Sequence, residues 1–226
     1  MSEQISLDAE ASLGEDGFAP LRSVLQTHDP KSFVEFGSGR STVRFVQLFP
    51  EIELLSIEHH PLYYQKTAEL IEEFHIGHTA ELNFRPLAWQ SWFGAPHKSY
   101  SVGPFPDNID TVLIDGPPGL FNKRGREACL YQIYDRLEVG GLVILDDFGR
   151  TAEQCIVSNW LRTYPESFVV EYLDTPHGTC LLKKVKQVEG RRDLGRSVDV
   201  LHSVVDSKIT EGKVWLHRRI FGENGD

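Results

Sequence analysis

Three acidic residues stand where this chain could do chemistry. Asp115 closes the apolar run Thr111–Asp115 (TVLID), and Asp146 with Asp147 closes the run that begins at Leu142 (LVILDD). Carboxylates that converge repel one another unless a positive charge neutralises them. A divalent cation held by oxygen ligands would do so, and an oxygen-only ligand set favours magnesium, calcium or manganese over zinc. On that reading Asp115, Asp146 and Asp147 are metal ligands. A substrate cation or the nearby basic residues Lys123, Arg124, Arg126 and Arg150 would serve equally, leaving Asp115 to act alone as base or substrate anchor. The residues leave both readings open.

A second group lies upstream. The apolar run Ser32–Phe36 leads directly into Gly37-Ser38-Gly39, and helical spacing follows. Glycines there let the backbone turn sharply and approach a ligand, and the helix start offers free N–H groups. Glu58 closes the next apolar run, LLSIE, 19 residues after Gly39. An acid at that place accepts hydrogen bonds from ribose hydroxyls. His59 and His60 are adjacent rather than at metal-ligand spacing, so they read as loop residues within reach of a nucleoside. The segment Gly116–Glu127 (GPPGLFNKRGRE) is too rich in Gly, Pro and basic residues for a core element. It reads as a loop bordering the same crevice, orienting an acidic or hydroxylated substrate.

These residues need a scaffold, and the chain supplies one by alternation. Short apolar runs at Ser32–Phe36, Leu54–Glu58, Leu82–Leu87, Thr111–Asp115 and Leu142–Asp146 read as strands. Helical spacing separates most of them, at Ser41–Phe49, Pro61–Phe74, Arg126–Leu137 and Thr151–Tyr164, after a first helix at Phe18–Thr27. Such alternation implies βαβ units and a parallel sheet covered on both faces. Phe168–Asp174 and Thr179–Lys184 are separated only by Thr175–Gly178, too short for a crossover helix, so they form an antiparallel hairpin. The expected fold is therefore doubly wound and Rossmann-like, a mostly parallel seven-stranded α/β sheet closing with a hairpin. In such a sheet ligands sit beyond the carboxyl ends of the strands, where all the acids above fall.

Composition bounds the partners. The 226 residues suit one domain, with a leader at 1–17, a domain over 18–185 and an extension over 186–226. The extension carries apolar residues at helical spacing (Val198, Leu201, Val204) and is a candidate surface for self-association. From Lys183 onward there are ten Lys and Arg against seven Asp and Glu, but the whole chain carries a net charge of -10. That balance argues against nucleic acid as a partner. No apolar run is long enough to span a membrane, and the acidic start lacks a signal core. Three scattered cysteines fit a cytoplasmic protein with free thiols.

Taken together the motifs resemble the class I S-adenosylmethionine-dependent methyltransferases. EFGSGRST resembles their first motif, SIEHH their second, IDTVLIDGPPG their fourth, and LEVGGLVILDD the strand that follows. The hairpin resembles their reversed last strand. The resemblance implies that Glu35, Gly37, Ser38, Gly39, Ser41, Thr42, Glu58, His59 and Asp115 bind S-adenosylmethionine. It implies methyl transfer to a hydroxyl of a small molecule or saccharide. Within the class, Asp115 and the pair Asp146-Asp147 resemble the magnesium ligands of the catechol-type O-methyltransferases, which makes Asp115, Asp147 and Lys123 the candidate catalytic residues. Two features depart from that pattern. Asp147 stands where those enzymes have Asn, and Gly116-Pro117-Pro118 stands where they place a lysine, leaving Lys123 to reach in from the loop. An NAD-dependent oxidoreductase and a non-catalytic binding module are the rival readings. The first lacks its third fingerprint glycine, since Thr42 is there. The second is disfavoured by the intact Glu35, Gly37, Gly39 and Glu58.

Overall fold

A computed structural model describes residues 15–119 and 124–191, the side chains of 15–17 excepted. In chain order the elements are α1 (Glu15–His28), β1 (Ser32–Phe36), α2 (Arg40–Leu48), β2 (Glu53–Glu58), α3 (Pro61–Glu73) and β3 (Ala80–Phe84). Then come β4 (Leu87–Trp92), β5 (Ala95–Tyr100), β6 (Ile109–Ile114), α4 (Glu127–Ile133), β7 (Leu137–Leu145), α5 (Thr151–Thr163), β8 (Phe168–Leu173) and β9 (Thr179–Lys184). Seven strands form one sheet in the order β3-β2-β1-β6-β7-β9-β8. β1 pairs in parallel with β2 and β6, and β7 in parallel with β6; β9 runs antiparallel between β7 and β8. The expected doubly wound sheet with a terminal hairpin is thus the observed one.

Burial explains the apolar runs. Along β1, β2, β6 and β7 successive residues are buried on both faces. One face packs Phe33, Leu54, Leu113 and Ile144 against Leu21 and Leu25 of α1 and Val43 and Phe45 of α2. The other packs Phe36, Val112, Ile114 and Val143 against Leu130 and Tyr134 and against Ile156 and Trp160 of α5. Exposed side chains in these strands are confined to their first halves, at Glu53 of β2 and at Glu138 and Val139 of β7, and the rest is covered as a parallel sheet between two helical layers requires.

Two parts differ from expectation. The third strand ends at Phe84 rather than Leu87, and β4 and β5 form a separate antiparallel hairpin. Its two-residue turn, Phe93-Gly94, has φ of 51° and 81°, positive at both central positions as the twist of a tight hairpin demands. This hairpin, not a helix, makes the crossover from β3 to β6. The helix expected over Arg126–Leu137 stops at Ile133, and β7 begins at Leu137 rather than Leu142. Gly140 and Gly141 lie inside that strand at a bulge, where the pairing jumps from Ile109↔Leu137 to Thr111↔Leu142. A Cβ on Gly141 would stand 2.8 Å from Leu137 and 2.9 Å from the Glu138 carbonyl, so the bulge requires glycine there.

Candidate active site

The glycine turn sits where β1 and β6 end side by side. Gly37 has φ +102°, and a Cβ on it would meet the backbone nitrogen of Gly116 at 2.9 Å. The N–H groups of Asp115 and Gly116 both donate to the Phe36 carbonyl, at 2.9 and 2.7 Å. Gly37 therefore serves the close approach of the two strand ends. Gly39 is different: a Cβ there would meet nothing within 4 Å. Its missing side chain leaves the crevice open above the start of α2.

Glu58 ends β2 beside that turn. Its Oε1 accepts the backbone N–H groups of His59 and His60, each at 2.7 Å, and lies 3.0 Å from His59 Nδ1. Its Oε2 accepts the Ser38 N–H at 3.3 Å. Burial pushes its carboxyl up, but hydrogen bonds from His59 and His60 outweigh that and hold it below the usual range. Glu58 is thus an ionised acceptor tied to the glycine turn. Ser38 is fixed a second time by Thr67 of α3, at 2.9 Å between hydroxyl oxygens.

Glu35, Ser41 and Thr42 face inward beneath the turn. Glu35 is fully buried in mid-sheet and accepts hydrogen bonds from Ser41, from Thr42 at 2.5 Å and from Ser56 at 2.6 Å. Burial pushes this carboxyl up to about 7. Thr42 also accepts the Gly39 N–H at 3.2 Å. These three residues fasten the start of α2 to β1 and hold the glycine turn from below.

The third group joins the ends of β6, β7 and the loop before α4. Asp115, Asp146 and Asp147 each bring a carboxylate oxygen within 4.8 Å of the others, so the sequence placed them correctly in one cluster. Burial pushes Asp115 up to about 7, with the charges of Asp146 and Asp147 adding to it. A buried guanidinium enters this cluster. Arg126 Nη2 lies 2.9 Å from Asp147 Oδ2 and 3.4 Å from Asp115 Oδ1, and it also donates to the Asp115 carbonyl. Nη1 donates to the Asp146 carbonyl at 3.1 Å and faces Glu153 at 3.8 Å. Arg150 contributes a further pair to Asp147, at 2.8 Å. Asp146 is turned toward the Thr179 hydroxyl, 3.3 Å away. Among the described residues, Arg126 and Arg150 supply the positive charge that faces these carboxylates. Of the four basic candidates, Arg126 and Arg150 reach the acids. Arg124 instead bonds Glu127 at 2.6 Å, and Lys123 lies outside the described residues.

Three residues of the site escaped the sequence reading. Ser56 supports Glu35, and the signal was available: each is the polar interruption of an apolar strand, and the two are register partners across β1 and β2. Thr67 carried no signal beyond its helical position. Tyr100, at the end of β5, is fully buried, and its hydroxyl has no hydrogen-bond partner. It points at Gly116, lies edge-on to His59 at 5.6 Å and packs on Phe36. An orphaned buried donor beside the glycine turn, an open Gly39 and an ionised Glu58 fit a nucleoside cofactor with polar groups to offer.

The strand order and the reversed strand between β7 and β8 are those of the class I methyltransferase fold, and solved structures share it. The chain is similar to the Bacillus cereus O-methyltransferase in complex with SAH, with 14% identity over 77% of this chain and 84% of that one, at a TM-score of 0.58. It is similar to the SAH-bound Podospora anserina methyltransferase PaMTH1, with 15% identity over 74% and 76% and a TM-score of 0.56. The Streptomyces achromogenes O-methyltransferase TomG, in complex with SAM, gives 13% identity over 74% and 78% and a TM-score of 0.54. No protein-family model and no curated protein matches the sequence.

Proposed function

We propose that the protein is an S-adenosylmethionine-dependent methyltransferase acting on a hydroxyl of a small molecule or saccharide. The observation that carries this reading is the tie between the glycine turn and Glu58 at the ends of β1 and β2, in a sheet of methyltransferase order. When bound, S-adenosylmethionine supplies an electrophilic methyl group on a sulfonium. The chain's own work is positioning and electrostatics. Gly39 leaves room for the cofactor above the turn that Gly37 shapes, Glu58 accepts the ribose hydroxyls, and Ser38, His59 and Tyr100 line the same wall. Glu35, Ser41 and Thr42 act by holding the turn. Asp115 is the proton acceptor for the substrate hydroxyl, because it follows β6 directly beside the Gly37 turn and burial raises its carboxyl to about 7. Asp147 steadies that end through Arg126 and Arg150, and the reading includes no divalent cation. Among the described residues no helix is long and apolar enough to cross a membrane, and Cys129, Cys155 and Cys180 are free thiols. We place the protein in the cytoplasm on that basis.

The test is calorimetric and then catalytic. S-adenosylhomocysteine should bind the full chain and NADH should not; the reverse result refutes the proposal in favour of an oxidoreductase. Labelled S-adenosylmethionine offered with panels of catechols, simple phenols and sugars should then transfer its methyl to an oxygen. Tight cofactor binding with no transfer to any panel would favour a binding module.

A further inference from the structure

The carboxylates at the ends of β6 and β7 need a positive charge, and the structure contains one that the sequence could not single out. We infer that Arg126 stands in place of a divalent cation, as a built-in counter-ion that fixes Asp115 and Asp147 and straps the two strand ends together.

The geometry supports this on three counts. First, position: Nη2 faces the carboxylates of both Asp115 and Asp147, at 3.4 and 2.9 Å, and so bridges two of the three acids of the cluster. Second, span: the same side chain donates to the backbone carbonyls of Asp115 and Asp146 and faces Glu153 of α5, so one guanidinium links β6, β7 and α5. A planar fork of donors is suited to such multiple attachment, and a lysine is not. Third, burial: Arg126 is only 4% exposed, and its Nε is enclosed without a partner. A buried charge is stable only when its neighbours compensate it, so the acids and the arginine require one another.

The assignment has a chemical consequence. A magnesium ion usually keeps coordination positions for water or substrate, and so can polarise an oxygen. The two terminal nitrogens of Arg126 are committed to protein acceptors, leaving none directed at a substrate. Arg126 is therefore a positioning residue. It acts through Asp115, and activation of a hydroxyl falls to that carboxylate.

Manganese binding tests the inference without turnover, so its failure and a failure of the methyl-transfer reading are distinguishable. MnCl2 is titrated into the full chain and free Mn2+ is followed by electron paramagnetic resonance. The wild-type protein should leave Mn2+ free through the micromolar range. Arg126→Gln should open the cluster and gain a site roughly tenfold tighter or better, and Arg126→Gln combined with Asp147→Asn should lose it. Stoichiometric uptake by the wild type at micromolar ion overturns the inference. So does a folded Arg126→Gln protein, checked by circular dichroism, that gains no manganese. If Arg126→Gln does not fold, the wild-type titration decides alone: uptake of the ion refutes the inference and its absence upholds it.

Discussion

Gly37 lies so close to Gly116 that a Cβ on it would stand 2.9 Å from the Gly116 backbone nitrogen. The two glycines of the turn therefore have separate duties and should fail in separate ways. Gly37→Ala meets both a left-handed φ and a backbone clash, and should lose about 1–3 kcal/mol of stability. Gly39 has φ of 165°, extended backbone open to any residue. Gly39→Ala should leave the melting temperature unchanged yet weaken S-adenosylhomocysteine by roughly tenfold or more, about 1.4 kcal/mol. Thermal melts and calorimetry on the two variants check this. Equal melting losses in both would show that the turn is merely tight.

Glu58 should matter to the cofactor more than to the fold. Its oxygens are already oriented by His59, His60 and Ser38. Glu58→Ala should cost about 1.5–3 kcal/mol of S-adenosylmethionine affinity, the range for hydrogen bonds to a charged group. Unchanged affinity by calorimetry would remove the ribose assignment.

Asp115 should control the rate through its protonation. With its carboxyl at about 7, the base form grows as pH rises, so kcat should climb through neutrality and level off above it. Asp115→Asn should lower kcat by about 10²–10⁴-fold and abolish that acid limb, while S-adenosylhomocysteine affinity holds. A limb that persists in the variant assigns the titration to another group.

Glu35 should make the folded state sensitive to alkali. Its folded value, about 7, lies above the ordinary 4.5, so between those limits the native protein keeps a proton that the unfolded chain has released. Stability then falls as pH rises through that window. The full shift corresponds to about 3 kcal/mol. Urea melts between about pH 5 and 8 should show a steeper loss in wild type than in Glu35→Gln, by up to that amount. Parallel slopes would mean that Glu35 titrates normally.

The central sheet was readable in the sequence because a strand buried on both faces is a mostly apolar run, and LLSIE, TVLID and LVILD are such runs. The final hairpin was readable because four residues cannot house a crossover. What escaped follows from the same logic. The β4–β5 hairpin packs mainly through β5, so its residues Leu87–Tyr100 show no continuous apolar run, and Pro96 argues against a strand. The two-residue Phe93-Gly94 turn was the signal present. Gly140-Gly141 fell just before the strand expected from Leu142, whereas here the pair lies within β7 and permits a bulge. The cluster of Asp115, Asp146 and Asp147 was foreseeable from strand ends alone. That Arg126 and Arg150 would face it rather than Arg124 was not, since only the path of the chain before α4 brings Arg126 inward and leaves Arg124 on Glu127.

Arg126 within 2.9 Å of Asp147 also changes how this protein depends on its surroundings. A metal site is filled by mass action, so its occupancy and the stability it lends vary with ion concentration. Here the cation is translated with the chain. Its stoichiometry is one from the moment of folding, the entropy of capturing it is spent once, and neither a chelator nor a competing metal can exchange it. The same permanence means that the cell cannot regulate the site by supplying or withholding an ion, and that a single codon decides whether the charge is there at all.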